Sequence, residues 1–186
     1  YVLMSDGCHM EGVSNEAASL AGHLKPGRLI ALYDDNEISI EGSTELAFTE
    51  NVNARYEALG WQVIDVADGH DQDAVAGAIM EAQNDTSRPS LVVCHTKIAR
   101  GAPNLEGDAA AHGAALGEEE LAAAKQAFDW PDEDFHVPPE VQTFFEQKRA
   151  SWREERQEWD AMLEAFEGKH KAIAKEFKRV LGRELP

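Results

Sequence analysis

The sequence predicts an α/β domain, a parallel sheet with flanking helices, continued by an all-helical tail. Over the first hundred residues or so, short apolar runs alternate with helical segments, and Gly, Pro, Asp or Asn punctuate the joins. From Glu118 onward the alternation stops and only helical periodicity remains. The division therefore falls at residue 117, with an α/β portion over 1–117 and a helical extension of the same domain over 118–186.

Each element has its own local signal. Tyr1-Val2-Leu3-Met4 is a short apolar strand, and Ser5-Asp6-Gly7 reads as the turn after it. Residues 11–24, rich in Ala, Leu and Glu, form a helix that stops before Pro26-Gly27. Residues 29–33 are a buried strand, 51–59 a helix closed by Gly60, and 61–66 an alternating strand. A helix over 73–83 and a strand over 91–94 complete the series. Strands separated by helices imply βαβ units, with function at the carboxyl ends of the strands. The Gly/Ala/Asn-rich segment 99–117 is long for a plain connection, which favours a functional loop. Beyond it, 118–128 is helical and Pro138-Pro139 opens a long final stretch. There Phe145, Trp152, Trp159 and Phe166 recur every seven residues, a stripe expected to pack on its own domain.

Composition removes several functions. Thirty-five acidic against 17 basic residues give a net charge of −18, a surface that repels nucleic acid and anionic membranes. No run approaches the ~20 apolar residues of a membrane span. Two cysteines argue against a disulfide scaffold and fit a reducing compartment, cytoplasm or plastid stroma. A polyanionic ligand would need local compensation, from a cation or from helix-terminal amides.

Asp6 and Asn36 each follow directly on an apolar run, so both stand at strand ends in neighbouring βα turns. A carboxylate and an amide oxygen so placed suit a hard cation such as Mg²⁺ or Ca²⁺, which bridges readily to phosphates. Gly7 permits close approach of an anion to the backbone, and the helix entered near Glu11 offers free amides. On spacing alone the plain reading stays open, because Asp-Gly is a common turn and Asp34-Asp35-Asn36 can simply end a strand. An EF-hand fails, since Ile38 and Ser39 stand where a ligand and a glycine are required. His112 is either a functional histidine or a solvated loop residue. Cys8-His9 and Cys94-His95 lack zinc-site spacing, and adjacent residues on an extended chain face opposite ways. His70 and His170 read as turn and helix-surface residues.

The run from Asp6 to Gly22, Asp6-Gly7-Cys8-His9-Met10-Glu11-Gly12-Val13-Ser14-Asn15-Glu16 and onward, closely resembles the thiamine-diphosphate motif of transketolases. Tyr33-Asp34-Asp35-Asn36-Glu37-Ile38-Ser39-Ile40-Glu41-Gly42 resembles its second half. Phe48-Thr49-Glu50, Arg55-Tyr56-Glu57-Ala58-Leu59-Gly60-Trp61, Gly101-Ala102-Pro103-Asn104 and His112-Gly113-Ala114-Ala115-Leu116-Gly117 follow in the family's order. The resemblance implies the thiamine-diphosphate-binding fold, here incomplete. It implies thiamine diphosphate as cofactor and Mg²⁺ (or Ca²⁺) as metal, held by Asp6, Asn36 and the main-chain carbonyl of Ile38. Gly7 and Cys8 would lie along the diphosphate, with Glu11 supporting the turn. Ile98 would border the thiazolium ring as an apolar wall, and His112 would contact the diphosphate and face the substrate as the catalytic histidine.

The implied activity is transfer of a two-carbon ketol unit between sugar phosphates, by a homodimer in the pentose phosphate pathway or Calvin cycle. A separate domain of the family holds the pyrimidine ring, and nothing here resembles it. The chain also opens in mid-pattern without a start methionine, so it is expected to be part of a longer protein and inactive alone. Alternatives are a dihydroxyacetone synthase, or a non-catalytic binding or assembly module derived from such a domain. Three departures stand out. Ser5 replaces the motif's first glycine, Ala99-Arg100 replaces a Gly-aromatic pair, and the run Ala109-Ala110-Ala111 replaces a family histidine.

Overall fold

In the computed structural model, which describes residues 1–185, the chain divides into two compact units, Tyr1–Asp132 and the segment from Glu133 onward. The first holds a four-stranded parallel sheet. Its strands are β1 (Val2–Ser5), β2 (Ile30–Asp35), β5 (Gln62–Val66) and β6 (Ser90–His95), in the order β1-β2-β6-β5. The short strands β3 (Ile38–Ser39) and β4 (Gly42–Ser43) form a separate antiparallel hairpin just beyond β2.

The connections explain which helix covers which face. Helices α2 (Gly12–Leu24) and α3 (Val52–Ala58) link strands advancing across the sheet in one direction, whereas α4 (Gln72–Asn84) returns from β5 to β6. Right-handed crossovers put helices of opposite travel on opposite faces. The side chains agree. Ala31, Tyr33, Leu91 and Val93 pack with Ala18, Val52, Tyr56 and Trp61 on one face. Ile30, Ile64, Val66, Val92 and Cys94 pack with Ala78 and Ala82 on the other. Strands β2 and β6 are central, so their apolar residues are buried from both sides and read as continuous runs.

Helix ends follow their capping residues. Asn51 Oδ1 accepts the N–H of Ala54 at the start of α3, and Asp71 accepts those of Asp73 and Ala74 at the start of α4. Gly60, at φ +87°, turns the chain after α3 as expected of a glycine there. Two local expectations need correction. Asp6-Gly7 is no open turn but the start of a five-residue helix, α1 (Asp6–Met10), so Cys8 and His9 are helical neighbours rather than residues of an extended chain. His170 is not on a helix surface either, because it breaks the chain between α6 (Pro139–Lys169) and α7 (Lys171–Leu181).

Helix α5 (Glu118–Ala127) belongs to the first unit. In the second, the aromatic stripe is not buried as expected: Phe145, Trp152, Trp159 and Phe166 remain 36–50% exposed, and no residue of α6 is buried. Trp159 and Phe166 share an apolar hollow with Ile173 and Phe177 of α7. One short partner helix cannot cover a stripe running the length of a 31-residue helix. No helix among the described residues is long and apolar enough to cross a membrane.

Candidate functional site

Parallel pairing aligns β1 with β2 so that Met4 lies beside Tyr33 and Ser5 beside Asp34. The two chains therefore leave the sheet together, β1 into Asp6 and β2 into Asn36. Asp6 is 2% exposed. Its Oδ1 accepts the Tyr33 hydroxyl at 2.6 Å, while its Oδ2 is buried with no hydrogen-bond partner. Burial raises the Asp6 carboxyl above the ordinary aspartate range and the charge of Asp35 adds to this. The Tyr33 hydroxyl and the main-chain N–H of Asn36 pull the other way. A buried carboxylate oxygen without a donor is costly unless something cationic or protic meets it.

The Asn36 side chain is fixed from both ends. Its Nδ2 donates to Asp34 Oδ2 at 3.3 Å, and its Oδ1 accepts the Ile38 N–H at 3.0 Å. Between them Glu37 takes φ +58°, which folds Asn36 and Ile38 into one tight turn. Asp6 with its unpartnered oxygen, and an amide oxygen from the neighbouring strand end, match the donor chemistry of a hard divalent cation. Among the described residues no three His, Cys, Asp or Glu side chains group as a metal cage.

A cavity of about 360 Å³ opens over this face, lined by Asp6, Tyr33, Asp35, Glu37, Glu50 and His95 among others. Across the sheet ends lies a second hollow, lined by Ser5, Cys8, Leu32, Asp34 and Cys94, with Tyr33 bordering both. The structure thus brings Asp6 and Asn36 together at adjoining strand ends and sets Cys8 on the far side of Tyr33. Gly7 is exposed in the first turn of α1, and Glu11 is exposed at the α1–α2 junction. Ile98 is half-buried in the turn after β6, its carbonyl accepting the Gly107 N–H. His112 is exposed at the end of a 3₁₀ turn over Ala109–Ala111. Neither Ile98 nor His112 lines the cavity that holds Asp6.

Of the departures from the family pattern, Ser5 has a local explanation and Ala99 carries a local cost. Ser5 sits at φ −128°, extended backbone open to any residue, so a glycine is not required. Ala99 stands at φ +52°, in the left-handed region that favours glycine, and Gly101 follows at φ +83°. A Cβ on Gly101 would lie 2.2 Å from the Phe128 ring, so that glycine is fixed by both conformation and space.

Four residues of the site escape motif reading. Tyr33 and Asp35 line the Asp6 cavity, and their spacing of two along a strand was the available signal. His95 contacts Asp35 through Nδ1 at 2.9 Å and Asp65 through Nε2 at 3.0 Å. His9 is 1% exposed, wedged between the Tyr33 and Tyr56 rings. Its burial, and secondarily Arg55, depress its imidazole to about 4.

Ionisable side chains gathered beyond the carboxyl ends of parallel strands define an open α/β ligand-binding domain. The chain belongs to the transketolase family: the model of the transketolase thiamine-diphosphate-binding domain matches residues 1–186. It is 46% identical over its full length to chloroplastic transketolase-1 of Arabidopsis thaliana, and 45% identical to transketolase 2 of Escherichia coli. These matches cover 25% and 28% of the relatives, so the chain spans about a quarter of their length. The solved transketolase of Pichia stipitis in complex with sedoheptulose 7-phosphate superimposes with a TM-score of 0.89 at 43% identity. That likeness covers all of this chain and 28% of the other.

Proposed function

We propose that this chain is the diphosphate- and metal-anchoring part of a transketolase that moves a two-carbon ketol unit from a ketose phosphate to an aldose phosphate. The observation that carries the reading is Asp6, a buried carboxylate with one oxygen held by Tyr33 and the other without a partner, set beside Asn36. Family membership supports thiamine diphosphate as the cofactor, and the Pichia stipitis complex supports sugar phosphates as substrates.

Asp6, Asn36 and the Ile38 carbonyl would hold Mg²⁺ or Ca²⁺, which would offset the charge of the diphosphate in an acidic protein. Thiamine diphosphate, when bound, supplies the electron sink that lets a carbon–carbon bond beside a ketose carbonyl break. The chain's own residues bind and orient. Tyr33 fixes one Asp6 oxygen so that the other stays available. Gly7 and Cys8 would lie along the diphosphate and Glu11 would support their turn, while Ile98 would present an apolar wall. The exposed imidazole of His112 would offer hydrogen bonds to diphosphate and substrate. The pyrimidine ring is assigned to sequence outside this chain or to another subunit of a homodimer, and the protein to cytoplasm or plastid stroma.

The test is Mg²⁺-dependent binding of thiamine diphosphate by calorimetry, together with ketol transfer in a coupled assay, for wild type and Asp6→Asn. Both should collapse in the variant. Unchanged binding in Asp6→Asn would remove the metal assignment. Transfer to formaldehyde in preference to an aldose phosphate would make the protein a dihydroxyacetone synthase. Absence of cofactor binding when the remaining segments are supplied would leave only the binding-module reading.

A further inference from the structure

We infer that His95 is a positioning residue for the Asp6 site, acting through Asp35 and Tyr33. This rests on Asp6 being a cation ligand, as proposed above. A continuous chain of contacts runs from the surface to the buried carboxylate. Asn53 Nδ2 donates to Asp65 Oδ1 at 3.1 Å, and the same oxygen lies 3.0 Å from His95 Nε2. His95 Nδ1 meets Asp35 Oδ2 at 2.9 Å. The other Asp35 oxygen is 3.3 Å from the Tyr33 hydroxyl, which holds Asp6 Oδ1 at 2.6 Å.

Three features separate this arrangement from an incidental surface ion pair. A carboxylate faces each ring nitrogen, Asp35 at Nδ1 and Asp65 at Nε2. The ring is thereby held at two points rather than one. Next, the His95 backbone is locked: its carbonyl accepts the Gly69 N–H at 2.7 Å, and the following residue, Thr96, donates to the Asp35 carbonyl at 2.9 Å. Gly69 can approach only because it lacks a Cβ, which would fall 3.0 Å or less from Cys94, His95 and Thr96. Last, Asp35 and His95 are register partners on adjacent strands and share a face. The fold therefore places the imidazole where it can orient Asp35.

The consequence is geometric. Tyr33 has one hydroxyl proton and two carboxylates in reach. With Asp35 satisfied by His95, that proton goes to Asp6, on the short contact, and Asp6 presents Oδ2 to a cation. Without His95, Asp35 competes for the same proton and Asp6 loses its fixed orientation.

The experiment measures Mg²⁺ affinity of the purified protein by calorimetry with thiamine diphosphate present, and thermal midpoints alongside. His95→Ala should raise the Mg²⁺ Kd about tenfold, the scale for losing an outer hydrogen-bond partner of a metal ligand. His95→Gln, which keeps one donor toward Asp35, should fall between and serves if His95→Ala folds poorly. The double variant His95→Ala/Tyr33→Phe should bind no more weakly than Tyr33→Phe alone, because both act along one path. A purely structural histidine would lower the midpoint and add its loss to that of Tyr33→Phe. Asp6→Asn separates the two layers. If it abolishes Mg²⁺ binding while His95→Ala and His95→Gln stay within twofold of wild type, the role of His95 is wrong and the metal reading stands. If Asp6→Asn binds Mg²⁺ as wild type does, the metal reading falls and the role of His95 falls with it.

Discussion

The Tyr33 hydroxyl and Asp6 Oδ1 are 2.6 Å apart, joining residues 27 positions distant in sequence. Parallel register brings them together, since Met4 of β1 stands beside Tyr33 of β2 and Asp6 follows two residues on. Burial and the two neighbouring carboxylates push the Tyr33 phenol far above its ordinary value, so it donates and never ionises in the working range. Tyr33→Phe should therefore leave Asp6 buried without its donor and cost about 2 kcal/mol of stability. Urea unfolding at neutral pH measures this. A loss below about 0.5 kcal/mol would mean that solvent already satisfies Asp6.

His9 makes stability depend on mild acid. Its folded imidazole is depressed to about 4, whereas the unfolded chain takes up a proton near 6.5. The unfolded state binds more protons between these values, so this contribution is complete above pH 6.5 and is lost as pH falls toward 4. The full loss is roughly 3 kcal/mol. Asp6, raised by burial, works in the opposite sense, so the comparison is with His9→Gln. That variant should show a shallower fall in unfolding free energy from pH 7 to 4.5. Parallel curves for the two proteins would contradict the assignment.

Ala99 holds φ +52°, a conformation that costs a residue with a Cβ about 1–2 kcal/mol. Glycine removes that cost but adds entropy to the unfolded chain, about 0.4–1 kcal/mol. Ala99→Gly should thus stabilise the protein by about 0.5–1 kcal/mol, read from the denaturation midpoint. Destabilisation would show that the Ala99 methyl contributes packing that outweighs its backbone cost.

Glu120 ties the loop after β6 to α5. One of its oxygens accepts the Asn104 main-chain N–H and the other the Asn104 side-chain amide, both at 2.8 Å. The two hydrogen bonds hold its carboxyl below the ordinary glutamate range. The tether is complete above that ordinary value and is lost as pH falls below it. Glu120→Ala should make the Asn104 amide exchange faster at neutral pH and expose residues 99–117 to limited proteolysis. Unaltered exchange would place the restraint elsewhere in the loop.

The strand and helix series was legible because its signals are local. Asn51 opens a helical run, Pro26-Gly27 stops another, and the apolar runs at 30–33 and 91–94 mark two central strands. Asp6 and Asn36 were legible from their place after those runs. Tyr33, Asp35 and His95 were not, since their meeting depends on which strands adjoin and in what register, a long-range fact. His9 was hidden for another reason: its burial comes from Tyr33 and Tyr56, which are distant in sequence. The aromatic stripe of α6 shows the converse, a clear periodicity whose burial did not follow.

Strand β2 also carries a constraint on inheritance. Tyr33 and Asp35 face the Asp6 cavity, while Asp34, between them, turns to the opposite side and meets Thr96. A point substitution in Ile30–Asp35 changes one of these roles. Loss or gain of a single codon there exchanges the two faces, sending the phenol and Asp35 together to the opposite side of the sheet and inverting the buried set behind them. Lineages of this chain should reject length change within these six residues.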